Sequence, residues 1–289
     1  MEKTLVGKEG WLFLKNDACR ELEVHCNNLC LVAETFQRDR YARHMKKFLM
    51  TIFPNKSYLY SDQLPAGYTA KYRPGFDIYK KIFGDRLLDG YKVLKGVAET
   101  YYKTDTHVNF LGACLIHNAW ILNINQQFGL SIPVPEHTII RNEVASLSEL
   151  TIGIGDLTWD SNRGSIALDS TADVYFKSDT VESLYMTYKI AVDGPIRLLG
   201  PTLEDITETH VGATLDWSIV SPCILFKKNP GGVSKKVLIF YDSFLCSTLS
   251  LYLNLFAATY MAKTIYDPVL VDKINPDLVF EFRVERFLL

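Results

Sequence analysis

Between Val237 and Ala262 the only charged residue is Asp242, and few arrangements can accommodate so long an uncharged stretch. Its length alone would allow a membrane-spanning helix. Its composition argues otherwise. Val237-Leu238-Ile239-Phe240-Tyr241 is a β-branched and aromatic run that follows a turn signal at Pro230 to Gly232. Ser247, Thr248, Ser250, Asn254 and Thr259 make the second half too polar for lipid. The stretch is therefore read as a buried strand, a sharp turn at Asp242-Ser243 and a helix over Thr248–Met261, with no transmembrane segment. A strand this apolar needs a sheet covered on both faces.

The rest of the chain supplies such a sheet. Phe48 to Phe53 is a second apolar run, ending at Pro54-Asn55-Lys56. Leu278 to Phe282 is a third, preceded by a helical turn over Val269–Lys273 and a short strand near Thr264–Tyr266. Helix-like segments are expected over Glu34–Lys47 and Asp85–Glu99. A core-facing helix is expected over 110–128, where Leu111, Leu115, Ala119 and Leu122 recur at helical spacing. Strands alternating with helices predict an α/β domain with a parallel sheet and helices on both faces, spanning 1–289. Residues 131–228 differ: turn residues punctuate short runs such as Ile166-Ala167-Leu168, Val174-Tyr175-Phe176 and Tyr188 to Val192, which reads as a strand-rich insertion within that domain.

Bulk properties exclude some partners. The net charge is −2 and there is no Lys/Arg run, so no nucleic-acid partner is expected. The first ten residues lack the apolar core of a secretory signal, so the expected location is cytoplasmic. Six cysteines are then expected as reduced thiols, with Cys114 and Cys246 lying in apolar runs. The group Cys19, His25, Cys26 and Cys30 matches no zinc-ligand spacing, and no metal is expected.

In a parallel sheet, working residues lie just past the carboxyl ends of strands. Ser243, Asn55 and Arg283 to Arg286 all fall there. Ser243 follows a strand and precedes a helix, which suits a nucleophile on a sharp turn and equally suits a helix N-cap. A serine hydroxyl is a weak nucleophile that needs a base, and the base needs a carboxylate to hold its tautomer. Asp105-x-His107 places both on one loop. By itself the motif is a weak signal, because a capping Asp beside a structural His has the same pattern.

A wider resemblance bears on these residues. Tyr102-Lys103-Thr104-Asp105-Thr106-His107, then Asn109 and Gly112-Ala113, resembles the TDTHWN…GA block of the alginate O-acetyltransferase family of SGNH-hydrolase-like proteins. Gly7 to Phe13, Pro54-Asn55-Lys56 with Tyr60 and Pro65, Gly155-Asp156-Leu157, Val237 to Phe244, and Pro276 to Leu288 resemble the same family in the same order. The resemblance covers both ends well and the central hundred residues poorly.

The resemblance implies a circularly permuted, flavodoxin-like SGNH fold. Val237–Tyr241 would be its first strand, Leu278–Phe282 its third and the strand before Asn55 its fourth. It further implies Ser243 as nucleophile, His107 as base and Asp105 as its partner, with Asn55, Lys56, Asn109, Asp242 and Arg286 as candidate substrate or oxyanion contacts. The activity implied is O-acetyl transfer through an acetyl-serine to a saccharide or polysaccharide hydroxyl. No cofactor is expected to bind tightly; acetyl-CoA would serve as the donor in a cytoplasmic setting. An acetylesterase shares the machinery, and a non-catalytic carbohydrate-binding domain is the remaining alternative. One departure is Val108, where the family has Trp; that change removes a flat surface expected to stack on sugar or wall the pocket.

Overall fold

A computed structural model describes residues 4–30, 33–103, 105–135 and 224–288. Between 136 and 223 it describes short segments: 139–143, 156–157, 159–160, 164–165, 174–178, 189–191, 196–200, 202–203, 205–209 and 214–216. The organising element is an eight-stranded sheet. In chain order its strands are β1 (Phe48–Phe53), β2 (Leu87–Asp89), β3 (Ile196–Leu199), β4 (Asp205–Thr209), β5 (Ile224–Lys228), β6 (Val233–Tyr241), β7 (Phe256–Ala262) and β8 (Leu278–Val284). In space they run β4-β3-β5-β7-β6-β8-β1-β2.

The five strands β7, β6, β8, β1 and β2 are mutually parallel. Numbered as the permuted reading numbers them, β6 is first, β8 third and β1 fourth, so β7 takes second place and β2 fifth. This is the 2-1-3-4-5 order of flavodoxin-like sheets, and ligands bind such sheets beyond the strand carboxyl ends. Strands β5, β3 and β4 continue the sheet antiparallel from the β7 edge.

The sheet is apolar on both faces, as the continuous runs in β1, β6 and β8 require. Val237, Ile239 and Tyr241 with Phe280 and Phe282 face one core; Leu238, Phe240 and Val279 face the other. The first core is covered by the helix Phe110–Phe128, whose Trp120 is fully buried against Tyr252, Phe280 and Phe282. Truncating such a side chain typically costs about 3–5 kcal/mol. The second is covered by the helices Glu34–Ala42, Pro74–Phe83 and Pro268–Ile274 through Tyr41, Phe76, Tyr79, Phe83, Leu270 and Val271. No described helix is long and apolar enough to cross a membrane.

Several local expectations are corrected. The helix over 110–128 has the expected span but turns another face inward. Ala113, Ile116, Trp120, Ile121 and Ile124 are buried, while Leu122 is 59% exposed. The expected helix over Thr248–Met261 stops at Leu253, and Phe256–Ala262 is a strand. Its alanines favour a helix, but pairing on both edges, with β6 and with β5, overrides that local preference. Nor is Thr264–Tyr266 a strand.

The expected helix over 85–99 is instead β2 followed by a short helix, Gly90–Leu94. Asp89 caps that helix by accepting from the Tyr91 N–H at 3.1 Å. Gly90 lets it abut β1, since a Cβ there would lie 2.6 Å from the Ile52 carbonyl oxygen. The helix starting at Glu34 ends at Ala42, with a 3-10 turn over Met45–Lys47. Val174–Phe176 lies in a described strand and Lys189–Ala191 forms another; Ile166-Ala167-Leu168 falls outside the described residues.

Candidate active site

The carboxyl ends of β6, β8 and β1 converge with the loop that precedes the helix Phe110–Phe128. Beyond β6 the chain turns sharply at Asp242, whose backbone is extended, into a 3-10 helix over Ser243–Thr248. Asp242 fixes that turn twice: one carboxylate oxygen accepts from the Phe244 N–H at 2.9 Å and the other from the Val284 N–H at 2.7 Å. The turn is thereby tied to the end of β8. Ser243 is left half-buried at the tip.

Across from it, Asp105 and His107 occupy the loop that enters the Phe110–Phe128 helix. Asn109 caps that helix, accepting from the Gly112 N–H at 3.0 Å while its amide donates to the Glu99 carbonyl. Gly112 permits the contact, because a Cβ there would lie 2.3 Å from the Thr100 carbonyl oxygen. The loop's carbonyls are gathered by Lys56. Its buried ammonium donates to the carbonyls of Tyr102 and Lys103, both at 3.1 Å, and of Asp105 at 2.6 Å, beneath the rings of Trp11 and Phe13. Leu12 N–H adds a bond to the Lys103 carbonyl at 2.9 Å, so the N-terminal hairpin Thr4–Leu14 also braces the loop.

So held, Asp105, His107 and Ser243 form one hydrogen-bonded chain. His107 Nδ1 lies 2.6 Å from Asp105 Oδ1, and Nε2 lies 2.9 Å from Ser243 Oγ. The partners set the tautomer: Nδ1–H donates to the carboxylate and Nε2 accepts from the hydroxyl. Asp105 is buried, and its oxygens accept two further bonds, from the N–H of His107 at 2.8 Å and of Asp156 at 3.0 Å. Burial alone would push the Asp105 carboxyl up; the adjacent His107 charge and these bonds outweigh it and hold the group well below the usual carboxylate range. For His107 burial acts downward, but Asp105, with a contribution from Asp156, raises its proton affinity above the ordinary level despite the opposing charge of Arg286. The arrangement suits a base that must accept a proton from a hydroxyl and remain stable as an imidazolium.

The five residues expected around a substrate are placed otherwise. Asp242 and Asn109 cap the segments just described, and Lys56 satisfies loop carbonyls. Asn55 is buried, its amide nitrogen 2.8 Å from His25 Nε2 and its oxygen accepting from the Arg286 N–H at 3.3 Å. Arg286 is also interior; its guanidinium reaches Glu21 at 3.4 Å and the Thr106 hydroxyl at 3.3 Å, against the Phe244 and Phe287 rings. These side chains frame the site rather than line an open surface. Val108 points inward too. It is 1% exposed within the core.

Two features escaped sequence reasoning. Behind the site, Arg73 donates from Nε to both oxygens of Glu285 at 3.0 Å and from Nη1 to Asp89 at 2.9 Å, all with little exposure. Nothing local marks that trio. Asp156 accepts from both the N–H (2.8 Å) and the hydroxyl (2.7 Å) of Thr106, and the segment Gly155-Asp156-Leu157 did carry a signal in its resemblance to the family. The ligand atoms of Asp105, His107 and Asp156 lie within 4.8 Å of one another, close enough for a cation, but their oxygens already accept the bonds named above. His25 is occupied at both ring nitrogens, Nδ1 lying 2.6 Å from the Tyr72 carbonyl, and Cys19, Cys26, Cys30 and Cys114 form no disulfide.

No protein-family profile and no curated protein matches the chain. Solved structures do. Bacillus cereus PatB1 superposes with a TM-score of 0.63 at 15% identity, covering 100% of this chain and 97% of that one. A DHHW family protein from Eubacterium siraeum gives 0.57 at 13% identity, over 99% and 94%. The O-acetyltransferase domain of Pseudomonas putida AlgJ gives 0.50 at 15% identity, over 100% and 92%. At these identities the likeness speaks to fold. The strand order and the match along nearly the whole of each chain show that this protein shares the fold of these structures, a flavodoxin-like parallel sheet covered by helices.

Proposed function

We propose that this protein is a serine-dependent O-acetyltransferase acting on a saccharide or polysaccharide hydroxyl. The observation that carries the reading is the chain from Asp105 through His107 to the Ser243 hydroxyl at the carboxyl end of β6. In the first half-reaction the Ser243 oxygen attacks the acetyl carbonyl as its proton passes to His107 Nε2. The bond to the donor's leaving group then breaks, and that group departs with the proton from His107. In the second, a sugar hydroxyl gives its proton to His107 and attacks acetyl-Ser243. The ester bond to Ser243 breaks and the proton returns to its oxygen. Asp105 stays ionised throughout and steadies the imidazolium. An acetyl thioester such as acetyl-CoA meets the donor's chemical requirement.

The test is labelling by a fluorophosphonate and acetylation by an activated acetyl ester, each compared with Ser243→Ala. Labelling of the parent and none of the variant is expected, with acetyl appearing on an added oligosaccharide faster than it is lost to water. Labelling that survives Ser243→Ala would falsify the nucleophile assignment. Release to water alone would identify an esterase instead.

A further inference from the structure

The carboxylate of Asp156 lies against the Asp105–His107 turn. Its two oxygens accept from the Thr106 N–H at 2.8 Å and the Thr106 hydroxyl at 2.7 Å. Its own N–H donates to Asp105 Oδ2 at 3.0 Å, the oxygen that His107 leaves open. The Thr106 hydroxyl, having donated to Asp156, accepts from Arg286 Nη2 at 3.3 Å. Thr106 thus sits in a three-way clamp between the two residues whose geometry decides where the imidazole points.

We propose that Asp156 is a positioning residue for His107: it locks the Asp105-Thr106-His107 turn from outside and places a second negative charge beside the imidazole. The proposal rests on the acetyl-serine reading for its consequence in rate, though not for its consequence in charge. A turn of three residues has few internal constraints, and small displacements of a base relative to its nucleophile cost rate steeply. Asp105 Oδ1 holds both Nδ1 and the N–H of His107, with the Thr106 hydroxyl 3.4 Å from Nδ1; the Asp156 N–H holds Oδ2, and its carboxylate holds that hydroxyl, so Asp156 fixes both groups that face Nδ1. The charged groups facing His107 are Asp105 and Asp156, which favour the imidazolium, and Arg286, which opposes it. Among the described residues, Ser243, the Thr106 hydroxyl and the Phe244 ring also face it and carry no charge. Removing the Asp156 charge therefore lowers the proton affinity of His107, whereas a residue serving only to fold the loop would leave it unaltered.

Asp156→Asn in the full chain tests this, being isosteric and retaining the backbone N–H. Two readouts apply: the NMR titration of the His107 ring, and the pH profile of fluorophosphonate labelling at Ser243. Both midpoints are expected to fall by about 0.5–1 pH unit, and the high-pH labelling plateau by about 10- to 100-fold. A ring titration that superposes on the parent's overturns the proposal. Should Asp156→Asn fail to fold, Thr106→Val keeps the charge and removes the hydroxyl link. It is expected to lower the plateau while leaving the midpoint near the parent's, and a parent-like plateau overturns the proposal equally. If the parent itself is not labelled, the acetyl-serine reading fails, and the ring titration still decides the role of Asp156.

Discussion

Two carboxylate–histidine–hydroxyl chains lie on opposite sides of the sheet, and they run in opposite senses. At the strand ends, Asp105 is buried, His107 is 23% exposed at its side chain, and the Ser243 hydroxyl is half-buried. In the second core, Asp272 is 39% exposed and shared with Arg43, His44 is buried, and the Tyr266 hydroxyl is sealed inside. His44 Nε2 lies 3.2 Å from Asp272 Oδ1, and Nδ1 lies 2.5 Å from the Tyr266 oxygen. The components match, but the charge sits at the inner end of one chain and at the outer end of the other. Burial therefore dominates at His44, where Lys47 and Arg43 reinforce it against Asp272, and pushes its proton affinity down. At His107 the adjacent Asp105 carboxylate, helped by Asp156, outweighs burial and the Arg286 charge and pushes it up. Tyr266 is pushed up to about 12 by burial and by nearby Asp272 and Glu281, which makes it a poor source of protons. Connectivity alone does not make a base; the direction in which charge is buried does.

Matched substitutions sharpen that contrast. Asp105→Asn is expected to reduce kcat by about 10⁴-fold, the scale on which a triad histidine loses its tautomer, whereas Asp272→Asn should leave acetyl transfer within about twofold. Comparable losses from both would erase the distinction. Lys56→Met comes next. It removes the ammonium donor from the carbonyls of Tyr102, Lys103 and Asp105, of which that of Lys103 keeps the Leu12 N–H, and a cost of about 2 kcal/mol or more in urea unfolding is expected, together with slower labelling of Ser243. His44→Gln should cost about 1–3 kcal/mol and leave kcat unchanged, since it opens a buried polar network remote from the strand ends.

The smallest effects are in pH dependence, and the two histidines should differ in sign. His107, whose folded proton affinity is raised, adds stability that is full below its ordinary value of 6.5 and is lost as pH rises through its folded value. His44, whose folded value is depressed, adds stability that is present above 6.5 and is lost as pH falls through its folded value. Urea midpoints against pH for His107→Gln and His44→Gln, each relative to the parent, should therefore diverge on opposite sides of 6.5. With neutral His107 as the proposed base, kcat/KM should rise with a midpoint above 6.5. A rising limb centred below 6.5 would contradict the placement of Asp105 and Asp156 beside it.

What the sequence displayed follows the range of the forces involved. Strands β1, β6 and β8 and the helix Phe110–Phe128 were legible because each is a continuous apolar run or periodic segment with its own caps. Phe256–Ala262 was not, since its alanines favour a helix and only two neighbouring strands make it extended. The inward face of Phe110–Phe128 was equally hidden: both of its apolar stripes are plausible until Trp120 finds Phe280 and Phe282. Ser243, Asp105 and His107 were legible as a group through local motifs and a family resemblance. The residues that hold them were not, because Arg286 meets Glu21 and Arg73 meets Glu285 across separations of 265 and 212 residues. Asn55, Lys56, Asn109 and Asp242 looked like substrate contacts by position, yet backbone groups that would otherwise be buried unpaired claim them first.

The two hydrogen bonds that Asp242 accepts, from Phe244 in its own turn and from Val284 at the end of β8, have a consequence for the order of assembly. The Ser243 turn acquires its fixed shape only when the last strand of the chain has docked, and the histidine it faces lies 136 residues upstream. Contacts of such separation close late and slowly. A half-folded chain therefore carries the Ser243 hydroxyl apart from His107, and under the proposed mechanism chemical reactivity at Ser243 would double as a clock for completion of the sheet.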